Sequence, residues 1–248
     1  MPANLRVHIA PVGFQFLRVT EPLITMQADK VYLVSYARDD DAAKFFKQIV
    51  KHLEDNYEHI KVEEVFLDIW DLYECIEKFR EIILEERGNH TYINVSTGTK
   101  ITAIAGMLAC MLWGATPYYA PVSYPSPKES SVPQTEHVEE PDILPTYDIN
   151  KPKREYMLVL NLIKEAGGRM RKAHLIEKLE RLDVIRPKDE QKTEFTEGAK
   201  HSQLRAILKP METEWKYVRV EASGRRSDVF LTDQGDAALR IFGAMKTQ

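Results

Sequence analysis

The heptad Asn94-Val95-Ser96-Thr97-Gly98-Thr99-Lys100 places three short hydroxyls, a glycine and a lysine where a strand-like run gives way to a helix-like one. A helix start exposes backbone N–H groups with no acceptor inside the helix, and its dipole adds positive potential. Gly98 permits close backbone approach, Ser96, Thr97 and Thr99 offer hydrogen bonds, and Lys100 brings a flexible charge. The set suits phosphate or another polar, anionic ligand. The same residues would also serve an ordinary helix start, with Thr99 as cap and Lys100 solvated. Neither the Gly-x4-Gly-Lys-Ser/Thr order of a Walker loop nor the Gly-x-Gly-x2-Gly order of a dinucleotide corner is present.

A second turn, Pro11-Val12-Gly13-Phe14, follows the run "LRVHIA" and precedes another helical pattern. Gly13 would allow a tight approach. Phe14 is placed to stack on a base or to pack, Phe16 reads as core, and Gln15 and Arg18 read as a polar rim, with Arg18 facing solvent. Ser35-Tyr36-Ala37-Arg38 ends a further strand and offers Tyr36 as a third wall, for stacking or for surface packing. The acidic run Asp39-Asp40-Asp41 reads as a helix start, because adjacent carboxylates point in different directions.

These corners need a sheet to hold them. Strand-like runs at Leu5–Ala10, Lys30–Ser35, Ile60–Leu67, His90–Ser96 and Thr116–Val122 alternate with helical patterns at Phe16–Met26, Asp40–Asn56, Leu72–Arg87 and Lys100–Trp113. Single helices between strands imply parallel crossovers and a three-layer α/β domain. The Lys100–Trp113 pattern is apolar nearly all round, as expected of a helix held between its sheet and something more, a partner subunit being one candidate. Eight of the thirteen prolines lie between Pro117 and Pro152. We therefore expect a sensor-like domain over 1–125, a proline-rich connector over 126–151 and a second domain over 152–248.

That second domain reads as helix, helix, helix, hairpin and closing helix, the order of a winged helix-turn-helix. Lys172–Arg181 would brace a recognition helix at Glu197–Lys209, and Gly224 would turn the hairpin. Residues 1–150 carry 13 Lys/Arg against 23 Asp/Glu, whereas 151–248 carry 21 against 15. Double-stranded DNA is the expected partner of the basic half. Lys200, His201, Gln203 and Arg205 are its candidate contacts, with Arg225 and Arg226 at the hairpin tip. Gln203 suits adenine, and Arg205 suits guanine or phosphate. His174 and His201 lack the spacing of a metal site, and no metal is expected. The cysteines Cys75 and Cys110 read as buried thiols in a reducing interior. No membrane span or signal peptide is apparent, which points to the cytoplasm.

With these motifs in order, the first domain resembles a CARF domain, the Rossmann-like ligand sensor associated with CRISPR antiviral defence. The whole chain is similar to archaeal CARF proteins with a C-terminal winged helix-turn-helix, the Csa3-like transcriptional regulators among them. The resemblance implies a pocket for a cyclic oligoadenylate, with cyclic tetra-adenylate favoured, lined by Pro11 to Phe14 and by Asn94 through Lys100. It also implies a homodimer formed through the N-terminal domain around a shared two-fold axis. Where the family corner has paired glycines this chain has Thr97-Gly98, a substitution expected to narrow the path to the backbone. A DNA-binding regulator controlled by that ligand follows. The alternative is a ring nuclease acting by metal-independent attack of a ribose 2′-hydroxyl, with Ser96 and Thr99 orienting the phosphate and Lys100 stabilising its charge.

Overall fold

The computed structural model describes residues 4–36, 41–123, 137–187, 195–223 and 226–243. The chain divides into two compact units, Met1–Ile149 and Asn150–Gln248.

In the first unit β1 (Arg6–Pro11), α1 (Phe16–Thr25), β2 (Lys30–Ser35), α2 (Asp41–Asn56), β3 (Lys61–Phe66), α3 (Leu72–Glu85), β4 (His90–Asn94), α4 (Lys100–Trp113) and β5 (Thr116–Tyr119) alternate. Three short strands follow, β6 (Val122–Ser123), β7 (His137–Val138) and β8 (Asp142–Ile143). The main sheet has the order β3-β2-β1-β4-β5-β8. It is parallel except for β8, which pairs antiparallel with β5 through Tyr118 and Ile143. Part of the proline-rich segment thus completes the first sheet's edge. The chain winds outward from β1 to β3 and then returns to lay β4 beside β1. Winding reverses there, and at such a switch point the loops leaving adjacent strands diverge and leave a crevice.

One face of the sheet packs Ala10, Val31 and Leu33 against Val19 and Leu23 of α1 and Phe46, Ile49 and Leu53 of α2. Phe16 packs on this cluster, as expected. On the other face α4 lies so near β4 that a methyl group on Gly106 would sit 2.9 Å from Ile93 Cγ2. His8 is fully buried, stacked at 5.0 Å on Tyr92. Burial, helped by the Arg6 charge, lowers its pKa to about 3, so it is neutral in the folded protein. Cys75 and Cys110 are buried free thiols, and burial pushes the Cys75 thiol up to about 12. Among the described residues no helix is long and apolar enough to cross a membrane.

The second unit runs α5 (Arg154–Glu165), β9 (Arg169–Arg171), α6 (Lys172–Arg181), α7 (Glu197–Thr213), β10 (Val218–Ser223), β11 (Arg226–Leu231) and α8 (Asp233–Phe242). Gly167 and Gly168, at φ 79° and 85°, end α5 in the left-handed region that other residues avoid. β9 was not expected from the sequence. It pairs antiparallel with β11, so the hairpin becomes a three-stranded sheet of order β10-β11-β9. Thr232 caps α8 by accepting the Gly235 N–H at 3.1 Å. This is the winged helix arrangement, with α7 in the place of the recognition helix.

Candidate functional site

The two corners meet. A methyl group on Gly13 would lie 3.2 Å from Gly98 N, and one on Gly98 would lie 2.6 Å from Pro11 Cβ. Gly98 has φ +77°, which a side chain would strain even without those contacts. Thr97 closes the joint from below, since its buried hydroxyl donates to Pro11 O at 2.6 Å. The expected narrowing at Thr97 therefore does not arise; the side chain turns inward and ties β4 to β1.

The neighbouring polar groups are committed to the scaffold. Fully buried Asn94 donates through Nδ2 to Arg18 O at 2.9 Å. Its Oδ1 accepts from Ser96 N at 2.9 Å and Ser96 Oγ at 2.7 Å. Ser96 Oγ in turn accepts the Ala120 N–H at 2.7 Å. Thr99 and Thr102 form a reciprocal capping box at the start of α4. The Thr99 hydroxyl hydrogen goes to Ile69 O at 2.8 Å. Ser96 and Thr99 thus spend their hydroxyl hydrogens on protein acceptors. Gly98 and Lys100 are exposed, and α4 begins there with N–H groups that its own turns do not satisfy, the Thr102 N–H being taken by the Thr99 hydroxyl.

Arg18 is not the solvent-facing rim residue expected. It is 6% exposed, donates to Ala120 O at 3.0 Å and to Gln15 Oε1 at 3.0 Å, and lies 5.0 Å from the Tyr119 ring centre. Phe14 is exposed, with Phe45 edge-on at 5.9 Å. Tyr36 meets Trp70 edge-on at 4.6 Å. Tyr36 also lines a cavity of about 630 Å³ with Phe46, Lys47, Val50 and Phe66. This cavity is lined from β2, α2 and β3, whereas Gly13 and Gly98 meet at the β1–β4 corner. Residues 37–40 and Arg225 lie outside the described residues, as do the side chains of Asp41 and Arg226. Trp70 escaped the sequence reading, although an aromatic just before the helix-capping Asp71 is a visible signal.

In the winged unit the structure redistributes the expected contacts. Lys200 Nζ pairs with Glu180 Oε1 at 2.8 Å and Glu197 Oε1 at 2.9 Å, and the two carboxylates raise its pKa. Gln203 clamps the Arg186 backbone, donating to its carbonyl at 2.8 Å and accepting its N–H at 3.2 Å. His201 and Arg205 remain exposed, one helical turn apart, and line a groove with Lys172, Lys209 and Glu212. A second concave surface holds Arg171, His174 and Lys178, together with Arg169 and Arg181, which are paired with Asp228 and Glu177.

Residues 6–124 match the family described as HFX_2341_N:-like, N-terminal, and residues 155–243 match the DUF6293 C-terminal winged helix domain. A curated relative, uncharacterized protein MJ1513 of Methanocaldococcus jannaschii, is 30% identical over 193 residues, covering 66% of this chain. The aligned part spans 57% of that relative's length. Can2 from Sulfobacillus thermosulfidooxidans, solved with cyclic tetra-adenylate, is 14% identical at a TM-score of 0.40, covering 96% of this chain and 64% of that one. Enterococcus italicus Csm6, bound to cyclic hexa-2'-fluoro-hexa-dAMP, is 15% identical at a TM-score of 0.41, over 47% of this chain and 33% of that one. Likeness this distant carries no argument about the site.

Proposed function

We propose that this chain, whose two parts match an HFX_2341_N:-like N-terminal domain and a DUF6293 winged helix domain, is a DNA-binding regulator whose first domain senses a cyclic oligoadenylate. The observation that carries the ligand half is the convergence of Gly13 and Gly98 at the β1–β4 switch point, beside Lys100 at a helix start. The two glycines let the loops after β1 and β4 close on each other, and a lysine at a helix start suits a phosphodiester. Cyclic tetra-adenylate is the ligand class that the corner's resemblance favours. The sensing reading asks only for binding. It therefore needs no further hydrogen from Ser96 or Thr99, whereas the ring-nuclease reading gives both hydroxyls an added task.

A ring with internal rotational symmetry is best met by two copies of one corner across a two-fold axis. The outer stripe of α4 supplies a candidate contact. Ile101, Ile104, Leu108 and Met111 lie along one helical face, and Ile104 is 50% exposed. Ile104→Glu is expected to turn a dimer into a monomer in sedimentation at micromolar protein. A parent already monomeric, or a variant still dimeric, removes this interface.

For DNA, the stripe His201, Arg205 and Lys209 on α7, with Lys172 from the start of α6, replaces the contacts first expected from Lys200 and Gln203. Each lost phosphate contact lowers the slope of log affinity against log salt by about 0.9. The double variant R205A/K209A is expected to flatten that slope by about 2, while K200A leaves it nearly unchanged. Equal slopes for the parent and the double variant would move the interface elsewhere. Ligand control is tested by measuring duplex affinity by fluorescence anisotropy with and without cyclic tetra-adenylate. A coupled regulator changes affinity about 5-fold or more; no change at saturating ligand separates the two halves.

A further inference from the structure

We infer that Trp70 is the base-stacking residue of the corner, favouring the broad face of a purine; this rests on the ligand site proposed above. Trp70 sits in the loop between β3 and α3, and that loop is tightly held. Ile69, 7% exposed, lends its carbonyl to the Thr99 hydroxyl at 2.8 Å. The Trp70 N–H bonds Asp68 Oδ1 at 3.0 Å, and Asp71 caps α3 by accepting from Tyr73 N at 2.8 Å and Glu74 N at 3.2 Å.

Between these buried and bonded neighbours Trp70 is 55% exposed. Burying so large an apolar ring within the unit would have been favourable. Instead Tyr36 meets it edge-on at 4.6 Å, which fixes the ring's tilt. The placement brackets the corner. Gly13 approaches Gly98 and is followed by exposed Phe14; Ile69 bonds Thr99 and is followed by exposed Trp70. An adenine base would bring a flat π surface to the indole while its phosphate meets Lys100. Stacking on an aromatic ring accepts any base, and purines offer the larger overlap.

The test uses the full chain and cyclic tetra-adenylate, followed by calorimetry and by tryptophan emission. Trp70→Ala is expected to weaken binding about 5- to 100-fold, with an unchanged melting temperature because the ring is exposed. Trp70→Phe should retain most of the affinity. Emission of the parent should be quenched by ligand, and the quench should vanish in both variants, although Trp113 and Trp215 remain. If the parent binds and Trp70→Ala binds equally, or the quench persists in Trp70→Phe, the stacking role is wrong and the corner stands. A parent that does not bind overturns the corner and the stacking role together.

Discussion

Lys100→Ala is expected to lower affinity for cyclic tetra-adenylate about 10- to 100-fold while leaving the melting temperature where it was. A hydrogen bond to a charged partner contributes about 1.5–3 kcal/mol, and each 1.4 kcal/mol is a factor of ten. Lys100 is exposed and opens α4 without being its cap, so its removal costs the fold little. Lys100→Arg should recover part of the loss, because charge survives while reach and geometry change. Calorimetry on the three proteins checks this. Equal affinity in parent and alanine variant would mean that the ligand's phosphate lies elsewhere.

The second large effect is on stability. Gly98→Ala forces a side chain into φ +77° and sets its Cβ 2.6 Å from Pro11 Cβ and 2.6 Å from Thr102 Oγ1. The conformational strain alone is about 1–2 kcal/mol. The overlap adds to it, because Pro11 is strand and Thr102 belongs to the capping box, so neither yields without disturbing β1 or α4. Melting should fall by roughly 5–10 °C, and ligand binding should be lost with the corner's geometry. Gly114→Ala is the control: its φ is +88°, but nothing lies within 4 Å of the added methyl. It should lose only the strain and keep its ligand. Equal melting losses in the two variants would show that the Gly98 contacts are not tight.

Much of this was legible in the residues themselves. β2, α4 and α6 fall where the sequence places them, because β-branched runs, the Thr99 cap and the Gly114 stop are local signals. That the corners after the first and fourth strands lie together is what the family resemblance implies; the alternation of elements alone fixes no strand order. What escaped depends on distant partners. β9 is three residues long and exists through pairing with β11, nearly sixty residues on. α7 continues past Pro210 to Thr213 because Met211 is fully buried, and packing overrides the proline. Spacing along one helix offers Lys200 and Gln203 to DNA, but Glu180 and the Arg186 backbone, contributed by other elements, claim both. Arg18 likewise looks like a surface residue until Ala120 and Tyr119 close over it. Side-chain type announces chemistry; which side chains stay available is settled by tertiary contacts.

The whole reading stands on phosphate-bearing ligand entering where Gly13 meets Gly98. Titrating the purified full chain with cyclic tetra-adenylate by calorimetry, paired with a melting curve at saturating ligand, addresses that directly. We predict a saturable transition at one ring per two chains, and a melting temperature raised by about 5 °C or more at a hundredfold excess over the dissociation constant. Absence of heat together with an unshifted melting curve would contradict the account, leaving a winged helix protein whose first domain serves some other purpose.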